Sequence, residues 1–476
     1  MRTIPRSTRS VLTAYAFAVV TVALADDQWF PFTPRGGSLE PGVIGMADWL
    51  EKPAGARGGV RMRGDEFIFE DGTPVKFWGA NLQFTDCMPD KGLGERMARR
   101  FAKYGLNAIR LHKIMEPDWA GFGDRNDSTR FDAAKLDRFD HFTAALKSNG
   151  IYYGISWVFH HSIRPGDRDK VIAYDEIKAQ KGETSRVLVF IAEDVQNLRI
   201  QMLVNLLMHT NPYTRVTYAH DPAVNFVEFQ NEDSIFFYTF NGFDDLKTLP
   251  TYKKLFIKRY SEWLRRKYGS HEALVKAWST NAMNAFAVKD EHLDRNNIMP
   301  TGNPWMFSPE GLAQGTSRGI RARLLDNAQF LYEVQKEFYD RFTKAVRATG
   351  YKGPLVGSCW TTPAGLPSYY NLLTDYQVGV IDRHNYFGGQ DGYSPHTGPF
   401  KNITHLDKPG SGLLSFGLHQ AVDRPFQLSE WNTVFPDQWA LESPTLVAAY
   451  GIGLQGWDAS YQFTASARDT MWDIVA

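Results

Sequence analysis

The strongest constraint in this sequence is an alternation that repeats along most of its length. Short apolar runs of strand character are followed by longer stretches whose apolar residues recur with helical period. Leu93, Met97, Phe101 and Tyr104 share one helical face, closed by Gly105. Leu136, Phe139, Phe142 and Leu146 form a second, ended by Asn149-Gly150, and Leu198, Met202, Leu206 and Leu207 a third. Phe330, Val334, Phe338, Phe342 and Val346 form another, stopped at Gly350. The strand-like runs are 77–82, 107–112, 152–159, 224–230, 354–358, 378–384, 425–428 and 454–457. Eight strands with helices between them predict an α/β fold with a parallel sheet, and the count of eight predicts closure into a (β/α)8 TIM barrel. An open doubly wound sheet is the alternative, but no G-x-G-x-x-G turn follows the first strand.

Ahead of the barrel, 26–59 reads as an irregular, Pro- and Gly-rich lead-in. A hairpin is expected across 60–82, with a turn at Glu70-Asp71-Gly72. A long stretch, 233–326, separates strand four from its helix and is expected to form a lid insertion with helices of its own. The chain ends soon after strand eight, with little room for a full eighth helix. Either the polypeptide is truncated at its C-terminus, or the barrel closes differently.

The first 25 residues read as an address. Arg2, Arg6 and Arg9 precede an uncharged apolar run, 11–25, that ends in Ala23-Leu24-Ala25 and is followed by Asp26-Asp27. This is the pattern of a secretory signal peptide cut after Ala25, and the run is short for a membrane span. A secreted or periplasmic protein is expected, with no span in the mature chain. The two cysteines, Cys87 and Cys359, are read as buried thiols or, alternatively, one bridge. A formal net charge of +0 argues against holding nucleic acid by bulk electrostatics. The 13 Trp, 21 Tyr and 32 Phe exceed what a core alone asks for, and flat apolar faces suit sugar rings.

In such barrels function sits at the C-terminal ends of the strands. Strand four ends Gln230-Asn231-Glu232 and strand seven ends Ser429-Glu430-Trp431-Asn432. Two carboxyl groups facing each other over the mouth suit glycosidic cleavage, in which one protonates the leaving oxygen and the other attacks or activates water. Arg110, late on strand two, can keep a carboxylate ionised. His384 and Tyr386 share one face of strand six. His160-His161 closes strand three; one of the pair must face the pocket, and His161 is the binding candidate. Trp360 stands at the end of strand five and Trp457 at the end of strand eight. Glu228, on the same side of its strand as Glu232, is expected to be an interior carboxylate paired with a basic group. His112, Trp78, Trp157 and Trp431 are open between packing and substrate contact. No metal and no cofactor is expected: the adjacent histidines lack metal-ligand spacing and there is no H-E-x-x-H.

These motifs resemble glycoside hydrolase clan A, whose retaining members carry Asn-Glu on strand four and Glu on strand seven of a (β/α)8 barrel. The Arg on strand two, the His-x-Tyr on strand six and the Trp on strand eight resemble family 5 in particular. The segment 267–278 is similar instead to family 42 β-galactosidases. The resemblance implies Glu232 as acid/base and Glu430 as nucleophile, with Arg110 and Tyr386 orienting Glu430. It further implies Asn231 on the sugar 2-hydroxyl, His384 on sugar or Glu232, and Trp457 as stacking platform. The family usually has Pro after the strand-four Glu, where Asp233 stands here. A poly- or oligosaccharide with β-linkages is the implied partner. A catalytically inactive carbohydrate-binding barrel, or a transglycosylase with the same residues, are the alternatives.

Overall fold

The computed structural model describes residues 39, 45–157, 160–180, 186–237, 246–286, 288–301, 303–388, 401–408, 412–433 and 437–466. The predicted signal segment, most of the lead-in before 45 and the chain beyond 466 lie outside these residues.

Eight parallel strands form one sheet: β1 Phe77–Gln83, β2 Ala108–His112, β3 Tyr152–Ile155, β4 Val224–Glu228, β5 Leu355–Val356, β6 Ile381–Phe387, β7 Phe426–Thr433 and β8 Ala459–Gln462. Each pairs with its neighbour in chain order, and β8 pairs back onto β1 through Ala459 opposite Phe77. The last gap, between β5 and β6, is bridged by Val356 and Val380 in parallel register, with the Val380 N–H donating to Leu355 O at 3.0 Å. The sheet is therefore a closed (β/α)8-type barrel, as the strand count predicts.

The helices that cover it are α1 Lys91–Lys103, α2 Ala133–Ser148, α3 Glu193–Met208, α4 Pro250–Tyr268, α5 His271–Trp278, α6 Arg321–Ala348 and α7 Leu366–Val378. Starts are set by side-chain caps: Asp132 accepts from the Lys135 N–H, and Ser270 from the Ala273 N–H. The α6 face named from its period, Phe330 to Val346, is the buried one. Phe342 of this helix stacks on Phe229 at 4.3 Å and 9°, which fixes α6 against the end of β4. Between β4 and α6 stand α4, α5 and a short helix, Pro309–Ser317. Between β7 and β8 the described residues form a short helix, Glu442–Leu446, that widens into a π turn, Val447–Leu454.

Aromatic rings fill the barrel interior because two strand glycines make room. A Cβ at Gly154 would sit 2.1 Å from the Phe226 ring, and one at Gly79 would sit 2.7 Å from Tyr461. Phe226 and Tyr461 meet edge to face at 5.6 Å.

Two expectations need adjusting. The hairpin is Val60–Arg63 paired with Glu66–Phe69; the turn at 70–72 is real, but beyond it only an Ile68–Pro74 bridge forms before the chain enters β1. The eighth strand is Ala459–Gln462, not 454–457. The apolar run before it winds as the π turn, where Gly451 leaves space for the Trp457 ring; a Cβ there would sit 2.5 Å from it. Both cysteines are buried free thiols.

Candidate active site

Arg110 is the hub of the barrel mouth. It projects inward from β2, fully buried, among residues of three other strands. Its Nε donates to Glu228 at 3.0 Å and Nη2 to the same carboxylate at 2.9 Å, a bidentate pair. Nη2 also reaches Asn231 Oδ1 at 2.8 Å, and Nη1 reaches Asn81 Oδ1 at 2.9 Å and Glu430 Oε1 at 2.6 Å. Asn81, on β1, passes the link on by donating to Ser429 O at 2.8 Å. Glu228 is thus the paired interior carboxylate that its position suggested. Burial, opposed by Arg110, pushes its pKa up to about 7.

Glu430 is held on every side. Tyr386 donates its hydroxyl to Oε2 at 2.6 Å, and His112 Nε2 lies 3.4 Å from Oε1. His112 in turn is fixed through Ser156 Oγ at 2.7 Å, which donates to Glu228 at 2.9 Å. Burial raises the Glu430 pKa, but His384, Arg110 and Tyr386 together outweigh it and hold the carboxyl below its ordinary range. A bulge places the partner: between Arg383 and His384 the β6–β7 register slips past Ser429, so His384 faces Glu430.

His384 joins the two glutamates. Its Nδ1 lies 2.7 Å from Glu232 Oε1 and 3.6 Å from Glu430 Oε2, while Nε2 meets Ser429 Oγ at 2.8 Å. Burial lowers its pKa, yet the charges of Glu430 and Glu232 raise it overall. One ligand atom from each of Glu232, His384 and Glu430 lies within 4.8 Å of the others. That spacing would admit one cation. The donor chemistry argues otherwise, since both Glu430 oxygens already accept hydrogen bonds and the Arg110 charge lies 2.6 Å from one.

The backbone is strained where these groups emerge. Phe84, Lys113, Glu232 and Cys359 follow β1, β2, β4 and β5, and all have positive φ, from 41° to 58°. Cys359 braces Glu232: its Sγ accepts the Glu232 N–H at 3.4 Å and lies 3.5 Å from Gln230 O. Beyond Glu232 and Asp233, Gln335 of α6 pins the loop by accepting from Ser234 Oγ at 3.0 Å and Ile235 N at 2.8 Å.

Glu232, Glu430, Arg110, Asn231, His384 and Tyr386 therefore converge. Glu430 is 4% exposed and Glu232 21%, so the second faces the opening. Asn231 is buried, and its Nδ2 has no hydrogen-bond partner among the described residues. Trp360 stands beside them, half-buried, its ring edge-on to His384 at 6.0 Å.

Two expected members do not join. His161 is buried away from the carboxylates with Nε2 on Ser128 Oγ at 2.9 Å; its neighbour His160 is the half-buried one, against Trp119 at 5.9 Å. Trp457 precedes β8 rather than ending it. It lies at the opposite end of the barrel, packed on Phe426 at 5.2 Å with Nε1 on Gln420 at 3.2 Å. The place after β8 belongs to Phe463, whose ring stands edge-on to Tyr386 at 6.0 Å. Trp431 and Trp157 are packing residues: the Trp431 N–H donates to Ser460 Oγ at 2.7 Å, and Arg199 lies over Trp157 at 4.7 Å. Sequence reasoning missed Phe463 and Lys113; the signal for both is their place directly after a strand.

No protein-family model matches the chain, and no curated protein matches it. Solved structures resemble its fold. An endo-1,4-β-D-mannanase from Thermotoga petrophila RKU-1 is 13% identical, with TM-score 0.41 over 82% of this chain and 89% of its own. A β-glucanase from Saccharophagus degradans is 12% identical, with TM-score 0.41 over 94% of this chain and 97% of its own. An agarase is 10% identical, with TM-score 0.48 over 87% of this chain and 60% of its own. At these identities the likeness concerns the barrel alone. It does not touch the family 42 likeness of 267–278, which rests on sequence.

Proposed function

We propose that this chain is a retaining glycoside hydrolase acting on β-linked poly- or oligosaccharide. The observation that carries the reading is the Glu232–Glu430 pair, with one carboxylate oxygen from each within 4.8 Å. Such proximity suits a nucleophile and an acid that flank one glycosidic bond.

The environments divide the roles. Glu430, ionised by Arg110, His384 and Tyr386, attacks the anomeric carbon. Glu232, nearer solvent, gives its proton to the departing glycosidic oxygen as that bond breaks. A glycosyl ester of Glu430 forms. Glu232 then takes a proton from water, the water attacks the ester's anomeric carbon, and Glu430 leaves as carboxylate. His384, hydrogen-bonded to Glu232 at 2.7 Å, holds that carboxyl toward the opening. The unpaired Asn231 Nδ2 suits a sugar hydroxyl, and Phe463 with Trp360 supplies the aromatic walls. The N-terminal segment suits export. Among the described residues, no helix is long and apolar enough to cross a membrane.

Hydrolysis of aryl β-glycosides followed by NMR tests the reading. The first-formed sugar should keep the β configuration. An α product would contradict double displacement, and no turnover across a sugar panel would favour the binding-only alternative.

A further inference from the structure

A cation stands at the same mouth, and the reaction just described gives it no task. Lys113 follows His112 directly at the end of β2, on a backbone with φ 58°. Its Nζ lies over the Phe84 ring at 5.3 Å and over the Trp119 ring at 5.5 Å. Those rings meet at 5.9 Å, and His160 stands edge-on to Trp119 at 5.9 Å. Phe84 comes from the end of β1, Trp119 from the loop after β2 and His160 from the end of β3. Two rings thus flank one ammonium, and His160 backs the second of them.

This ammonium borders the glutamates. The charges of Glu430 and Glu232 act on Lys113, while burial lowers its pKa. The carboxylates, however, have their own donors: Arg110 and Tyr386 on Glu430, His384 on Glu232. Lys113 is not required to hold them. When Glu232 carries its proton, as the first step demands, one of the negative charges acting on Lys113 is gone. The mouth then favours a further negative charge. The nearby acid Asp118 is engaged by Arg164 at 2.8 Å and Arg125 at 3.1 Å.

We propose that the Lys113 ammonium, flanked by Phe84 and Trp119 beside the glutamate pair, binds an anionic substituent of the sugar chain, either a carboxylate or a sulfate ester. This rests on the glycosidase reading and narrows it to acidic glycans.

The test titrates the full chain with sodium sulfate and, separately, with sodium glucuronate at constant ionic strength, read by tryptophan fluorescence. At least one anion should give a saturable response. Lys113→Met should weaken it about 10- to 100-fold, the worth of one charge-assisted hydrogen bond, and Lys113→Arg should hold it within about threefold. Response to sulfate alone assigns a sulfate ester; response to glucuronate alone assigns a carboxylate. No saturable response, or one that Lys113→Met leaves intact, overturns the proposal. A second arm compares kcat/KM on sulfated against desulfated, and uronic against carboxyl-reduced, oligosaccharides. The acidic member should lead in the wild type and lose its lead in Lys113→Met. Cleavage without anion preference would sink this proposal and leave the hydrolase; anion binding without any cleavage would do the reverse.

Discussion

Two arginines in this molecule are both fully buried and both paired with a buried glutamate, yet they serve opposite ends. Arg323, at the start of α6, meets Glu291 through both terminal nitrogens, at 2.6 and 2.7 Å, and two carbonyls, Ala282 O and Met299 O. That set is closed: everything it touches belongs to the segment it staples. Arg110 also grips a glutamate bidentately, but spends its remaining donors on Asn81, Asn231 and Glu430, the last two of which border the opening. The same ion pair is structural where its outer donors end in backbone. It is an orienting device where they end in groups with chemistry still to do.

The comparison breaks most visibly by removing each cation. Arg110→Met leaves Glu228 buried without its partner and Glu430 without its guanidinium donor. It should cost about 3–5 kcal/mol of stability and lower kcat/KM on the order of 10^3-fold, measured by denaturant unfolding and aryl-glycoside kinetics. Arg323→Met should cost a similar ~3–5 kcal/mol, while kcat at a temperature where it stays folded remains within about twofold. Equal catalytic losses in the two would erase the distinction.

A finer cut removes one donor from Glu430. Tyr386→Phe should lower kcat roughly 10- to 100-fold. It should also move the acid limb of the kcat/KM profile. Glu430 must be ionised to attack, and its pKa is depressed, so wild-type activity persists as pH falls and is lost below the ordinary value of 4.5. Without the phenol that pKa rises, and the limb shifts to higher pH. A limb that does not move would mean that Tyr386 does not tune Glu430. The smallest effect is expected at Ser429→Ala, which removes only the far partner of His384 and should slow turnover a few-fold.

Much of this was legible in the sequence because period and strand-end chemistry are local. Asn231-Glu232 and Ser429-Glu430 could be placed over one mouth by counting strands, and Arg110, His384 and Tyr386 by alternation along theirs. What failed were positions decided by neighbours distant in sequence. Trp457 looks like a strand end, but its indole is drawn into the space that Gly451 leaves, and the strand begins two residues later. The His160-His161 pair could not be ordered, because Ser128, far back in the chain, captures His161. The rings beside Lys113 were invisible for the same reason: Phe84 and Trp119 come from different loops, and neither announces the other.

The most direct test of the paired-glutamate account is azide rescue of Glu430→Gly on an aryl β-glycoside. With the nucleophile gone, azide should enter from the vacated face, restore turnover and give an α-glycosyl azide. A β-azide from that variant, or full activity without azide, would contradict the assignment of Glu430 and with it the double displacement.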